Sequence, residues 1–256
     1  MDWLLIAIIP FLLWAISLCK VLYASQTVFF PNNDIIHKRN VLLVIAHPDD
    51  ESMFFTPTIL HLISKGHNLH ILCMSTGDAD GKGNIRREEL LCACASLKIP
   101  IGQVKIIDHP NLQDGFSNIW SSSLLSKIIE EEIIANDIEL LITFDGYGVS
   151  GHQNHRDVRS GTYMFLSKYP ERSIEAWELI STNMTRKYIG PVDVWLSIIF
   201  ARSHAKGMGA YCVINNHPCK SFNAMAQHRS QWVWFRKLFV LFSSYTYMNT
   251  LRKIEL

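Results

Sequence analysis

A chain of 256 residues can bury one large core, and its 24 basic and 23 acidic side chains, net charge +1, are interspersed rather than striped. That evenness argues against nucleic acid or any other extended phosphate backbone as a partner. Six cysteines (Cys19, Cys73, Cys92, Cys94, Cys212 and Cys219) form neither CxxC pairs nor a dense framework, and they read as reduced, buried thiols of a cytosol-facing domain.

The chain opens on an apolar stretch. From Trp3 to Cys19, WLLIAIIPFLLWAISLC carries no charge, and with Lys20 snorkelling and VLYA beyond it approaches the roughly 20 residues that a spanning helix needs. Asp2 stands where a signal peptide would carry positive charge, so residues 1–23 are expected to be a transmembrane anchor. Lys20, Lys38 and Arg39 come after the stretch, which places the body in the cytosol and leaves the Asn183-Met184-Thr185 sequon unused. Residues 24–40 are polar and turn-rich and read as a linker, with a single domain over 41–256.

In that domain short apolar runs alternate with helical patterns. VLLVIA (41–46) precedes a helix near 51–65, LHILCMS (69–75) a helix near 86–97, VKIID (104–108) a helix near 121–135, and LLITF (140–144) closes the series. The alternation predicts βαβ units and a doubly wound, Rossmann-like, mostly parallel α/β sheet whose apolar strands are covered on both faces. The last aromatic segment, 232–248, is interrupted by Arg236 and Lys237; it reads as an interfacial membrane segment or as a helix packed back on the core.

In such a sheet the ligand site lies beyond the carboxyl ends of the strands. Directly after VLLVIA stand His47-Pro48-Asp49-Asp50-Glu51; Asp108-His109 stand after the third strand, and Asp145 with GYGVSGHQNHRD after the fourth. His47 and Asp50 are three apart at one turn, His152 and His155 three apart at another, so each pair can converge on one point. Two histidines, a carboxylate and an open position suit a catalytic zinc, and equally a non-haem iron. Pro48 can open the helix while His47 stays extended, and Gly148 and Gly151 let the second loop approach closely.

AHPDDE with MFFTPT behind it, and TFDGYGVSGHQNH later, resemble the two signature motifs of the LmbE-like deacetylases, metal-dependent enzymes acting on N-acetylglucosamine conjugates. The apolar start and the tail MAQHRSQWVWFRKLFVLFSSYTYMN are most similar to the branch acting on the glycolipid N-acetylglucosaminylphosphatidylinositol. The resemblance implies a zinc-dependent hydrolase of the endoplasmic reticulum membrane, serving glycosylphosphatidylinositol anchor synthesis. It implies His47, Asp50 and His155 as metal ligands, Asp49 as general base, and His152 as the residue that steadies the tetrahedral intermediate and passes a proton to the amine. Arg86, in an R-x-x-E pattern with Glu89, resembles the segment beside the substrate. Glu51 is expected to orient a ligand histidine or cap the helix. A deacetylase of a soluble conjugate and a non-catalytic metal-binding membrane subunit are the alternatives; an intact Asp49 counts against the second.

Overall fold

The structure, a computed structural model, describes residues 2–24, 38–115, 117–172, 174–204 and 210–256, with the backbone alone described for 2–7 and 201–204. The strands are β1 (Asn40–Ile45), β2 (Asn68–Cys73), β3 (Val104–Ile106), β4 (Leu140–Phe144), β5 (Glu175–Leu179), β6 (Ala210–Ile214) and β7 (Met248–Lys253). Among the described residues they form one sheet in the order β3-β2-β1-β4-β5-β7-β6, parallel from β3 through β5. β7 runs antiparallel to both β5 and β6. The expected α/β sheet is present, and its antiparallel edge is an addition that the apolar runs did not signal.

β1 and β4 are buried along almost their whole length, as strands covered on both faces should be. After β1 the chain winds outward through β2 and β3, then returns to place β4 on the other side of β1. That reversal opens a crevice between the carboxyl ends of β1 and β4.

The helices are α1 (Asp2–Leu22), α2 (Asp50–Met53), α3 (Thr56–Ser64), α4 (Gly83–Ser96), α5 (Ser122–Ala135), α6 (Gly148–Gly151) and α7 (Gln153–Lys168). After them come α8 (Met184–Tyr188), α9 (Asp193–His204), α10 (Pro218–Met225), α11 (Trp234–Phe242) and α12 (Ser244–Tyr247). The helix expected over 51–65 is two helices, α2 and α3. Pro57, early in α3, has no N–H to donate back into α2, so the chain turns at Phe54 and Phe55 before winding again. On one face of the sheet α5 and α7 lie close together. A Cβ on Gly161 of α7 would clash with the Leu125 Cβ, so only glycine permits this approach.

Phe54 ties the tail to the core. Its ring meets Phe144, Phe239 and Tyr245 edge to face at centroid distances of 6.1, 5.7 and 5.9 Å, contacts worth roughly 0.5–1.5 kcal/mol each beyond burial. The inner face of α11 therefore packs on the core through Phe239 and Val240, while Trp234, Phe235, Leu238, Leu241 and Phe242 stay exposed. The two readings of the tail describe the two faces of one helix.

α1 packs against the turn Gly190–Val192 and against α9, with Trp195 Nε1 donating to Ser17 Oγ at 2.9 Å. Its other face leaves Ile8, Ile9, Phe11, Leu12 and Ile16 exposed. Among the described residues no helix is long and apolar enough to cross a membrane, so the fold does not confirm the spanning anchor expected over 1–23; Met1 and the side chains of residues 2–7 lie outside the described residues, as does most of the expected linker. The expectation of buried thiols holds for Cys73, Cys94 and Cys212, whereas Cys19, Cys92 and Cys219 are exposed; all six are free. The exposed three sit on outer faces of α1, α4 and α10, where a small side chain has nothing to pack against.

Candidate active site

The turn after β1 delivers His47, Asp49 and Asp50 into the crevice, all buried. Asp49 adopts φ 112° and ψ −19°, a conformation that costs a non-glycine residue on the order of 1–3 kcal/mol. The surroundings hold it there: its N–H donates to Glu51 Oε2 at 3.1 Å, and its carbonyl accepts the N–H groups of Ser52 and Met53. The strain turns the carboxylates of Asp49 and Asp50 toward different partners.

Asp50 faces His47 and His155. Its Oδ2 accepts the N–H groups of Ala46 at 3.0 Å and His47 at 2.8 Å, which locks the carboxylate, while Oδ1 faces His155 Nε2 at 3.2 Å. His155 comes from the first turn of α7, its ring stacked on Phe144 with centroids 4.2 Å apart. Its Nδ1 lies 3.1 Å from the Gly148 carbonyl, which can only accept, so in the neutral ring Nε2 carries the lone pair. Gly148 must be glycine here: φ is +66°, and a Cβ would come within 2.7 Å of the His155 Cβ.

His47 obeys the same logic. Its Nε2 lies 3.1 Å from both Asp114 Oδ1 and Asn154 Oδ1, so it donates, and Nδ1 carries the lone pair 3.9 Å from Asp50 Oδ2. Asn154 is fixed in that orientation because its Nδ2 donates to the Asn118 carbonyl at 2.8 Å. Two imidazole lone pairs thus face one carboxylate, and acceptors that confront each other are reconciled by a cation. Nitrogens of His47, His152 and His155 all lie within 4.8 Å of one another, a cluster that could hold a metal ion.

The carboxylates favour positive charge in this cluster. Burial works against ionising both Asp50 and His47, yet the rings of His155 and His47 hold the Asp50 carboxyl well below its usual range, and Asp114 and Asp50 raise His47. His152 goes the other way, pushed down to about 4 by burial and by the neighbouring His47 and His155 rings. Its Nδ1 accepts the Asn154 N–H at 3.3 Å as the cap of α7, so the neutral ring carries its proton on Nε2.

Asp49 faces a different set. Its Oδ2 lies 3.0 Å from Arg236 Nη1 and 3.4 Å from Arg86 Nη2. Burial raises its pKa, partly opposed by the two guanidinium groups. Arg86 is buried, its two terminal nitrogens donating to the carbonyls of Pro48 at 2.6 Å and Gly77 at 2.8 Å and to Asp114 Oδ2 at 3.2 Å, while its Nε has no hydrogen-bond partner among the described residues. Glu89 does not pair with it but binds the N–H and hydroxyl of Ser230 at 2.6 and 2.7 Å. Glu51 binds His228 rather than His47 or His155, and its Oε2 accepts the N–H of Asp49, the N-cap residue of α2, so the expected role at the helix start holds and that toward a site histidine does not.

These groups line a cavity of about 330 Å³, with Met53 and Phe54 at one side and Gln231 and Arg236 at the other. Every residue expected at the site lies there: His47, Asp49, Asp50, Arg86, His152 and His155. Asp108 and His109 do not; His109 Nδ1 accepts the Asn111 N–H in its own turn. Asp145 is a turn residue, accepting from Tyr147, Gly148 and Ser181. Asp114, Asn154 and Arg236 had no site role in the sequence reading, whereas Gln231 belongs to the HRSQ part of the tail that carries the family resemblance, its role left open there. Asp114 had a signal, a carboxylate beside Gly115 in the loop after a strand; Arg236 was read only as a charge interrupting an aromatic run.

Comparison with known proteins points the same way. The sequence profile of the family described as "PIG-L: GlcNAc-PI de-N-acetylase" matches residues 42–166. A Bos taurus N-acetylglucosaminyl-phosphatidylinositol de-N-acetylase is 38% identical over 212 residues, covering 82% of this chain and 81% of that one. A Dictyostelium discoideum protein named "Probable N-acetylglucosaminyl-phosphatidylinositol de-N-acetylase" is 33% identical over 250 residues, covering 88% and 96%. Among solved structures, the N,N'-diacetylchitobiose deacetylase of Pyrococcus horikoshii superposes with a TM-score of 0.58 at 16% identity, covering 93% of this chain and 91% of that one, and shares the fold.

Proposed function

Because the chain belongs to the GlcNAc-PI de-N-acetylase family, we infer that its crevice hydrolyses the acetamido bond of N-acetylglucosaminylphosphatidylinositol, yielding acetate and glucosaminylphosphatidylinositol, a step of glycosylphosphatidylinositol anchor synthesis. The observation that carries the chemistry is the lone pair of His155 Nε2 aimed at Asp50 Oδ1 across 3.2 Å, beside a strained Asp49 that does not share that point.

His47, Asp50 and His155 would hold a divalent ion; two imidazoles, one carboxylate and an open position suit zinc and iron alike, and zinc is taken from the family resemblance. When bound, such an ion supplies Lewis acidity toward the acetyl carbonyl and acidifies a water at neutral pH. Asp114 and the Gly148 carbonyl hold the ligand rings in the correct tautomer. Asp49 takes a proton from the attacking water, and because burial raises its pKa it can keep that proton until the amine departs. As the water oxygen bonds to the carbonyl carbon and the C–N bond breaks, the same proton passes to the sugar nitrogen. His152, held neutral, donates Nε2–H to the carbonyl oxygen where negative charge develops. That is the stabilising half of the role expected for it, and its low pKa leaves the proton delivery to Asp49. Arg86 serves substrate binding through Asp49 and Asp114, which it holds in place.

The enzyme works at the endoplasmic reticulum membrane, anchored once by residues 1–23, with the catalytic domain in the cytosol. The charge-free run from Trp3 to Cys19, the basic residues after it, and the exposed apolar faces of α1, α9 and α11 support that placement. The decisive assay is acetate release from the glycolipid by the purified full chain, with chelation and metal add-back. Release that survives complete chelation would refute the metal-dependent reading; no release under any metal would refute the substrate.

A further inference from the structure

A second cavity, about 510 Å³, adjoins the catalytic one and shares Met53, Phe54, Ser150 and Arg236 with it. Its outer wall is apolar, built from Tyr188 of α8 and from Phe235, Leu238 and Phe242 of α11. Two charged groups line this trough: Arg236, which is paired with Asp49, and Lys187. Lys187 is 4% exposed, its Nζ donates to the Val149 carbonyl at 2.5 Å, and among the described residues no carboxylate is paired with it. An ammonium has three protons to donate, and a buried one without a counter-ion is costly. The acetylated sugar nitrogen must sit at the catalytic turn, so whatever the sugar is attached to extends toward one of the cavity's mouths. An anion followed by something apolar would complement both the lysine and the wall behind it.

We propose that this trough seats the phosphodiester of the lipid substrate and the first part of its apolar chains, with Lys187 as counter-ion of the phosphate. The proposal rests on the function inferred above and adds a subsite to it. The chains leave past α11, the helix that supplies Phe235, Leu238 and Phe242 to the trough and also exposes Trp234 and Leu241. The bilayer that holds the chains then meets the same helix that closes the site.

Lys187 has a structural use as well. Val149 sits at φ 64°, ψ −50°, unfavourable for a β-branched side chain, and is held by Lys187 at its carbonyl and by Ser181 Oγ at its N–H, 2.7 Å away. The test must therefore separate phosphate binding from support of the loop. The full-length enzyme in detergent is given three substrates: the intact glycolipid, its deacylated form that keeps the phosphodiester, and the N-acetylglucosaminyl inositol that lacks phosphate. With Lys187→Met, the kcat/KM ratio of either phosphodiester to the phosphate-free substrate is expected to fall by about 10- to 100-fold, mainly through KM, as for loss of a charged hydrogen bond. Lys187→Arg should restore most of that ratio. Leu238→Asn, an uncharged polar change in the exposed wall, should lower kcat/KM on the intact glycolipid more than on the deacylated form. An equal loss on all three substrates with Lys187→Met would make the lysine purely structural and overturn the proposal. Equal kcat/KM of the unaltered enzyme on all three would overturn it too, while leaving the deacetylase reading intact. Activity on none of them would fell both together.

Discussion

Glu51 Oε1 lies 2.7 Å from His228 Nε2, both side chains wholly buried, across 177 positions of sequence. Burial opposes protonation of His228, but the Glu51 carboxylate holds its pKa above the usual value. The same carboxylate accepts the Ser52 hydroxyl at 2.5 Å and, through Oε2, the N–H of the strained Asp49. The tail is thereby fastened to the catalytic turn from beneath.

Breaking one side of such a buried pair leaves the other uncompensated. Glu51→Ala is expected to cost roughly 3–5 kcal/mol of stability and to lower activity as Asp49 loses its support. A denaturant midpoint that moves by less than about 1 kcal/mol in ΔG would show that the pair is not what secures the turn.

Asp49 and Asp50 are adjacent in sequence but should fail differently. Asp49→Ala is expected to reduce kcat by about 10²–10⁴-fold while bound metal stays near its normal level, because the role proposed for this carboxylate is to accept protons and not to hold the ion. Equal loss of metal and activity would mean that the assignment as base is wrong.

His155→Ala removes the proposed metal ligand that faces Asp50 and should strip most of the metal, with activity falling in proportion. Elemental analysis of the purified variant decides it. A metal content unchanged from that of the parent chain would take His155 out of the ligand set.

His61, on the buried side of α3, has its pKa lowered from 6.5 to about 4 by burial, with Lys65 and His67 adding repulsion. At pH above 6.5 the ring is neutral folded or unfolded, so its full contribution to stability is present there. As pH falls toward 4 the unfolded chain takes up a proton that the folded chain refuses, and stability drops by up to about 1.4 kcal/mol per pH unit. Unfolding midpoints of the parent and of His61→Gln at pH 7 and pH 5 should therefore diverge, the parent losing more. Parallel losses would show that the ring protonates without unfolding.

Asn183 caps α8 through its side chain, which accepts the Arg186 N–H at 2.9 Å, and it is exposed. If the domain faces the cytosol this sequon stays bare, and a glycosidase treatment leaves the electrophoretic mobility unchanged. A shift toward lower mass would invert the topology.

The sequence determined the parts of this protein whose physics is local. Unbroken apolar runs read as β1 and β4, and the polar residues just past them marked the carboxyl edge where a site belongs. The motifs were contiguous enough for His47, Asp49, Asp50, His152 and His155 to be named from them. What lay beyond reach depended on pairings between distant segments. β6 and β7 carry no alternation that reveals their partners, and β7 joins the sheet only because Leu251 and Arg252 find β5 and β6 in space. Arg236, read as an interruption in a greasy tail, becomes a partner of Asp49 once Phe54 draws α11 onto the core. Glu51 meets His228, and Lys187 meets Val149, for the same reason. Charge and hydropathy say what a residue can do, but only the packed chain decides which atom it faces.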